Sequence, residues 1–193
     1  MKTIEQIAVS IAFLGVMMKM MAIAGGDTVL AASLLILAFS YSPFGLFLFN
    51  HIPVSRWFDR KAYMGMTAAR ALGSFAVGVV CSVLVTGILF KLLQLPGARE
   101  MMWMGFVGVG MLGISVAFRS LSGLRPGAFA RGLFRRAAVW VVLAFALYMT
   151  PGVVLVEAFY RQHPEYIEAY KRAAADPQNE RLQWEAEEIR SQL

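Results

Sequence analysis

Residues 28–49 read TVLAASLLILAFSYSPFGLFLF and contain no charged side chain. A helix that crosses a bilayer needs about 17–25 predominantly apolar residues, so this stretch is long enough to span a membrane. Four further apolar runs of similar length occupy residues 4–23, 71–93, 101–118 and 137–156. The sequence therefore predicts five membrane-spanning helices.

The composition agrees with that class of protein. Of the 193 residues, 59% are hydrophobic and only 16% are charged. Soluble domains carry about 25% charged residues, so this composition excludes intrinsic disorder and disfavours a soluble globule. The net charge is +6, which in a soluble protein would suggest nucleic acid. Here the basic excess lies in two short segments between apolar runs, and we predict no nucleic-acid partner.

The runs predict an all-α polytopic membrane helix bundle, built from two tandem transmembrane hairpins, a fifth span and a short helical tail. Glycine-containing turns join the two helices of each hairpin, since Gly and Pro break regular structure. The predicted segments, in chain order, are the first hairpin (1–50), a basic cytoplasmic loop (51–70), the second hairpin (71–118), a second basic cytoplasmic loop (119–136), the fifth span (137–158) and a charged helical tail (159–193).

The two basic loops predict the orientation of the chain. Cytoplasmic loops carry an excess of Lys and Arg. We therefore expect a multi-pass protein of the bacterial inner membrane, with a cytoplasmic N-terminus and the tail on the outer side. An alternative is that the first run is a signal peptide cleaved after Ala22-Ile23-Ala24. Lys19, close to the end of that run, argues against cleavage.

The ends of the first and third runs are alike at an offset of 72 residues. Residues 15–25 read GVMMKMMAIAG, and residues 87–97 read GILFKLLQLPG. The aligned pairs include Gly15 with Gly87, Lys19 with Lys91, and Gly25 with Gly97. Each unit is a helix that ends in Lys, a tight turn and an uncharged helix. This pattern predicts a parallel internal repeat.

The second turn, FKLLQLPGA at residues 90–98, resembles the transmembrane hairpin of the GldL-like family, the inner-membrane motor protein of gliding motility and type IX secretion. That hairpin typically reads Phe-Lys-apolar-x-His-x-Pro-Gly-Ala, and Gln94 stands where the family often has His. The resemblance implies a hairpin architecture and a bacterial inner membrane. The family's proton pathway uses a glutamate in the second helix, but residues 28–50 and 101–118 contain no acid. Proton-driven rotation is therefore not implied.

Lys19 and Lys91 are the candidate functional residues, because they are the only charges well inside the predicted spans. An ionisable residue within a membrane is a functional-site hypothesis by default. With no intramembrane acid as a partner, each lysine would snorkel to the headgroups or bond the free carbonyls at its helix end. Helix capping is thus one interpretation, and binding of an ion or substrate is the other.

A stripe of small residues marks one face of the third run: Ser74, Gly78, Ser82 and Thr86. Small residues let membrane helices approach closely. We predict that this stripe packs one hairpin against the other, and a lined pore is the alternative. Pro43 and Pro151 lie inside the second and fifth runs, where each removes a backbone donor and should kink its helix.

The tail is predicted to form two short helices, the second capped by Asp176 with a proline after it. Its charges at helical spacing would form side-chain pairs on one face, and they are Glu165, Glu168, Lys171 and Arg172. A solvated charged helix is one interpretation of this segment. A docking surface for a partner that uses Tyr166, Tyr170 and Trp184 is the other.

No pattern for catalysis or for a metal is present in the sequence. The single cysteine, Cys81, excludes an internal disulfide. Methionines at 17, 18, 20 and 21 raise a Cu(I) hypothesis, but consecutive residues point around a helix, which favours apolar packing. Phosphate-loop, nucleophile-elbow and zinc-helix motifs do not occur. We predict no catalytic, metal or cofactor-binding residues.

These patterns predict a non-enzymatic integral membrane protein, a structural or assembly subunit of a bacterial inner-membrane complex. Its partners would be the lipid bilayer and either other membrane subunits or further copies of itself. The alternative is a small channel or transporter that uses Lys19 and Lys91. A membrane enzyme, the third class, would need polar residues at matching depth in neighbouring spans, and the sequence gives no such cluster.

Overall fold

The computed structural model describes residues 2–42, 44–50, 52–64, 66–121, 128–176 and 178–192 and contains only helices and connections in those ranges. This confirms the predicted all-α helix bundle. Two short 3₁₀ helices, Val54–Arg56 and Arg60–Tyr63, lie in the first basic loop. The α-helices are α1 (Lys2–Met20), α2 (Gly26–Tyr41), α3 (Gly45–Phe49), α4 (Ala68–Leu92), α5 (Ala98–Leu121), α6 (Ala128–Met149), α7 (Gly152–Phe159), α8 (Pro164–Ala175) and α9 (Glu180–Ser191).

The bundle is organised around α4. Helices α1 and α2 pack on each other as the first hairpin, and α4 and α5 pack on each other as the second. α4 also contacts α2, α3 and α6, so it joins its own hairpin to the first hairpin and to the helix that follows. The most deeply buried side chains come from α2, α4, α5, α6 and α7, and they include Leu30, Leu84, Met102, Ala144 and Val156.

Within the described residues, three helices are long and apolar enough to cross a membrane: α4, the Ala98–Phe118 part of α5, and the Arg131–Met149 part of α6. α2 is also apolar but has only 16 residues. The protein is therefore a membrane protein by the length and composition of its helices.

The second and fifth apolar runs are each divided near a proline. α2 ends at Tyr41 and α3 begins at Gly45, while Pro43 lies outside the described residues. α6 ends at Met149, and Pro151 is the N-cap of α7. The predicted kink at Pro151 is therefore a full break between two helices. Thr150 Oγ1 donates to the Ala146 carbonyl at 2.9 Å, which provides a hydrogen bond where the helix ends.

The second basic loop is shorter than the sequence predicted. α5 continues to Leu121 and α6 begins at Ala128, so much of the 119–136 segment is helical. Arg131, Arg135 and Arg136 consequently lie on α6. The apolar run, which begins at residue 137, underestimates the length of this helix. Arginine has a high helix propensity, so the helix also includes the basic residues before that run.

The tail forms the two predicted helices, α8 and α9, which pack on each other. Asp176 is the C-cap of α8, and Asn179 occupies the N-cap position of α9, so the prediction that Asp176 caps the second helix is wrong. The charged side chains also pair differently from the prediction. Lys171 contacts Glu157 at 2.6 Å, and Arg172 contacts Glu185 at 2.9 Å, so both bonds join α8 to other helices.

Candidate functional site: the hairpin turns and the tail

Each hairpin turn ends its first helix with the same hydrogen bonds. In the first hairpin, the Ile23 amide donates to the Met18 carbonyl at 2.9 Å. In the second, the Leu95 amide donates to the Phe90 carbonyl at 2.7 Å. Both bonds join residues that are five positions apart. In each turn the preceding amide also donates to the Lys carbonyl, three positions earlier. This pair of bonds is the Schellman motif that closes many helices.

The same turns share two unusual backbone conformations. Ala22 and Gln94 have φ values of 52° and 54°, and Gly25 and Gly97 have φ values of 87° and 82°. A residue with a Cβ rarely adopts the left-handed region, so Ala22 and Gln94 are held there by the helix-ending bonds. The members of each pair are 72 positions apart, as in the predicted repeat.

The helices of the two hairpins also meet at equivalent points. A Cβ at Gly15 would lie 2.7 Å from the Leu30 backbone nitrogen. A Cβ at Gly87 would lie 2.8 Å from Met102 Cγ and 3.0 Å from the Met102 nitrogen. Leu30 and Met102 are themselves 72 positions apart, and both are fully buried. Each hairpin therefore depends on a glycine that lets its two helices approach closely.

Lys19 lies in a covered site at the end of the first hairpin. Its ammonium nitrogen is 2.7 Å from Asp27 Oδ1, and its side chain is only 5% exposed, against 50% for Asp27. Phe159 and Tyr160 lie over it, with ring centroids 5.1 and 5.3 Å from the nitrogen. The contact with Asp27 is an ion pair rather than an aligned hydrogen bond, since the ammonium makes no hydrogen bond of regular geometry among the described residues.

This geometry adds two facts about Lys19 that the sequence patterns did not predict. The uncharged run 28–50 offers no acid, but the short turn brings Asp27, in the first turn of α2 and just before that run, beside Lys19. Phe159 at the end of α7 and Tyr160 directly after it cover the Lys19 ammonium, so the side chain is enclosed by its own chain. Lys19 thus joins α1, α2 and the segment that leads into the tail.

Lys91 has different surroundings, although it occupies the equivalent position. It is only partly buried and forms no ion pair among the described residues. The position equivalent to Asp27 holds Arg99, whose guanidinium lies over the Tyr148 ring at 5.6 Å. Lys91 lines a cavity of about 340 Å³ together with Arg99 and Arg190. The two lysines are therefore alike in sequence and unlike in environment.

The carbonyls at the end of α4 are bonded by the tail rather than by Lys91. Arg190 of α9 donates to the Leu93 carbonyl at 2.8 Å and to the Gln94 carbonyl at 3.2 Å. Gln94 also donates through Nε2 to the Lys91 carbonyl and accepts from the Tyr170 hydroxyl at 3.2 Å. The capping role that the sequence suggested for Lys91 is performed by Gln94 and Arg190.

The tail is therefore docked on its own chain. Tyr166 is buried and stacks edge-on against Tyr160, with ring centroids 4.7 Å apart. Burial raises the pKa of Tyr166 to about 12 and also raises the pKa of Tyr170, although Arg190 opposes both shifts. Trp184 points outward and is 70% exposed. Two of the three aromatic residues proposed for partner docking are thus used inside the protein.

The small-residue stripe contacts the break between α2 and α3 at one end. A Cβ at Gly78 would lie 2.5 Å from the Tyr41 carbonyl oxygen and 3.0 Å from Gly45 Cα. Ser74 is buried, accepts from Asn50 Nδ2 at 2.9 Å and donates to the Arg70 carbonyl.

The other end of the stripe is less buried. Ser82 and Thr86 are of intermediate exposure, and Thr86 Oγ1 donates to the Ser82 carbonyl at 2.9 Å. Only the Ser74–Gly78 end therefore lies against the first hairpin in the contacts described.

A second polar cluster, which sequence reasoning missed, joins α1, α2 and α6. The Tyr41 hydroxyl donates to Glu5 Oε1 and accepts a hydrogen bond from Trp140 Nε1 at 2.9 Å. Arg136 lies 3.8 Å from Glu5 Oε2. The sequence held a signal for this contact, since Glu5 and Arg136 are opposite charges at the ends of runs predicted to face the same side of the membrane.

The described residues contain no group of three or more His, Cys, Asp or Glu side chains placed to hold a metal ion. In the methionine cluster that raised the Cu(I) hypothesis, Met17, Met20 and Met21 are exposed and so do not converge on the bundle core. Cys81 is buried in α4 and is a free thiol.

The fold and these contacts define an all-helical membrane protein with a tail docked on two hairpin turns. No protein-family model, curated protein or solved structure matches this chain. The GldL-like resemblance is therefore a prediction that rests on the turn sequence alone.

Proposed function

We propose that this protein is a non-enzymatic subunit of a bacterial inner-membrane complex, in which its helices pack against other membrane subunits or against further copies of itself. The observation that carries the proposal is the surface of α5. Half of the apolar segment of α4 is buried within the chain, but only 11% of that of α5. Most residues of α5 are therefore at least partly exposed, although one side of the helix packs on α4.

Part of that exposed surface has little side-chain bulk. Added Cβ atoms at Gly110 and Gly113 would meet nothing within 4 Å, and Ala117 continues the same exposed side one turn further on. Glycine gives little contact with lipid tails, whereas small residues are enriched where membrane helices associate. The glycines that serve packing inside this chain, Gly105 and Gly108, instead face Leu84 and Val80 closely. Gly110 and Gly113 thus support a contact with a helix from another subunit.

The placement in the membrane belongs to the same proposal. We infer five spans, a cytoplasmic N-terminus and a tail on the outer side, from the basic loops and the alternating direction of the runs. We also infer that the two hairpins are copies of one unit. Shared positive φ values, helix-ending bonds and glycine contacts support this inference. The hairpins differ in one respect, because α2 stops at Tyr41 whereas α5 runs unbroken to Leu121.

The alternative of a channel or transporter would use both lysines as one pair of equivalent sites. Lys19 is neutralised by Asp27 and covered by α7, so it offers little free charge to a moving ion. The structural subunit is accordingly the function that we favour.

The proposal is tested by the mass of the protein extracted from membranes in a mild detergent. We expect the protein mass of the particle, without its bound detergent, to exceed that of one 21.3 kDa chain. Gly113→Leu should reduce the particle to a monomer without loss of helix content. Gly132→Leu is the matched control, because a Cβ there also meets nothing within 4 Å but lies on α6. A wild-type protein that is monomeric in detergent, and that forms no cross-links in membranes, would contradict the proposal.

A further inference from the structure

The two turns differ in charge at two equivalent positions, because Asp27 and Thr28 of the first hairpin correspond to Arg99 and Glu100 of the second. Lys91 forms no ion pair among the described residues. In the first hairpin Asp27 neutralises Lys19 at 2.7 Å. In the second hairpin the equivalent residue is Arg99. A half-buried ammonium beside a second cation is unfavourable unless an anion lies between or beside them.

The cavity next to Lys91 collects further donors from the tail. Arg190, which already binds two carbonyls at the end of α4, lines it from α9, and Tyr166 and Tyr170 line it from α8. Gly97, Ala98 and Arg99 bring the first turn of α5 to the cavity wall. The free amides of that turn carry partial positive charge, which adds to the three side-chain cations.

Two acids, Glu100 and Glu187, also line this cavity. Neither forms an ion pair with Lys91, Arg99 or Arg190 in the part of the chain that the structure describes. Glu100 lies in the first turn of α5, where the helix dipole favours a carboxylate. The acids thus lower the net charge of the cavity without neutralising Lys91 directly.

We propose that this cavity binds a phosphate-type anion through Lys91 and Arg99. Arg190, through its bonds to the end of α4, holds the tail over the cavity. Guanidinium groups match phosphate oxygens in a forked geometry, and a lysine ammonium binds them as a point charge. Lys91 is in the last turn of a membrane-spanning helix, a depth at which phospholipid headgroups supply such anions. The ligand is therefore either a lipid headgroup or free phosphate.

The test uses the purified full-length protein in two arms. In the first, membranes that contain phosphatidylglycerol and phosphatidylcholine are extracted in a mild detergent, and native mass spectrometry counts the phospholipid retained by each chain. In the second, the protein is placed in nanodiscs of phosphatidylcholine alone, and equilibrium dialysis measures the binding of radiolabelled inorganic phosphate. Retention of phosphatidylglycerol assigns a lipid headgroup, and binding of phosphate assigns a free anion.

Two variants examine the site itself. Lys91→Gln should weaken retention about tenfold or more, as expected when a charge-assisted hydrogen bond is lost. Arg99→Asp places the acid of the first hairpin at the equivalent position of the second, so it should neutralise Lys91 internally and abolish binding while the protein folds. Lys171→Gln is the control, since that lysine lies on the tail, outside the cavity, and is paired with Glu157 of α7. This variant should retain the ligand as the wild type does.

Absence of both ligands from the wild-type protein would overturn the proposal. It would equally be overturned by retention that Lys91→Gln and Arg99→Asp leave unchanged. If Lys91→Gln fails to fold, Arg99→Asp decides the question alone, because it adds a favourable acid at a helix N-terminus and restores the charge pair of the first hairpin. The proposed role as a complex subunit does not depend on either result.

Discussion

The turns of the two hairpins follow one backbone path but carry opposite charge at one position. Ala22 and Gln94 share a left-handed conformation, and the helix-ending bonds around them match. Asp27 and Arg99 nevertheless occupy equivalent positions. The difference teaches that the path of such a turn depends on backbone bonds and close glycine contacts, whereas the side chains at its outer end can change with what lies over them.

A second difference between the hairpins concerns the atoms that each glycine contacts. Gly15 is close to the Leu30 backbone, while the nearest atom to Gly87 belongs to the flexible Met102 side chain. A thioether side chain adapts to a new neighbour more easily than a helix backbone does. The first hairpin should therefore tolerate enlargement of its glycine less well than the second.

The largest expected effect tests this second difference. Gly15→Val should lower the free energy of unfolding by about 3 kcal/mol, since overpacking against a backbone forces the helices apart. Gly87→Val should cost less, about 1–2 kcal/mol, because Met102 can move part of the way. Unfolding titrations in mixed detergent micelles measure both values. An equal or larger cost at Gly87 would show that Met102 is as rigid as the Leu30 backbone.

The next effect concerns the ion pair of the first hairpin. Asp27→Asn should lower the free energy of unfolding by about 2 kcal/mol, because it leaves the buried Lys19 ammonium unpaired. The loss is moderate because the Asp27 side chain is half exposed, so solvent already screens the pair. Lys19→Met should cost less, since Asp27 would then be solvated. The same titrations compare them, and Lys91→Met, which breaks no ion pair, serves as the control at about 0.3–1 kcal/mol. If Asp27→Asn is as mild as the control, the Lys19 pair contributes little.

The smallest effect distinguishes the two left-handed residues. Ala22→Gly should raise the free energy of unfolding by about 0.5–1 kcal/mol, since glycine adopts φ near 52° without a steric cost. Gln94→Gly should give no gain, because it also removes the bonds to the Lys91 carbonyl and to Tyr170. Thermal unfolding followed by circular dichroism suffices for this pair. Equal stabilisation by both variants would mean that the Gln94 side-chain bonds contribute nothing.

Much of the fold could be predicted, because a membrane helix is determined locally by the length of its apolar run and by the turn residues that end it. The third run, residues 71–93, closely matches α4, Ala68–Leu92. The pair of Lys19 with Asp27 was also within reach, since the turn between them is short. Pro151 was correctly identified as a disruption, but its degree was not, because a kink and a break leave the same mark in sequence.

The contacts of the tail could not be predicted in the same way. The burial of Tyr166 and the bonds of Arg190 to Leu93 and Gln94 join parts of the chain that are far apart in sequence. The pattern in one sequence identifies the apolar face of a helix, but not the surface against which that face packs. The cluster of Glu5, Tyr41 and Trp140 escaped prediction for the same reason.

The central claim is that the two hairpins lie parallel in the membrane, with both turns on one side and the first basic loop on the other. Its most direct test is the labelling of single cysteines by a membrane-impermeant maleimide on intact spheroplasts, in a Cys81→Ala background. The sites are Ala24→Cys and Pro96→Cys in the turns and Met64→Cys in the loop, all of which are exposed positions. We predict that both turn variants are labelled and that the loop variant is labelled only after lysis. Labelling of one turn without the other, or of the loop together with the turns, would contradict the account.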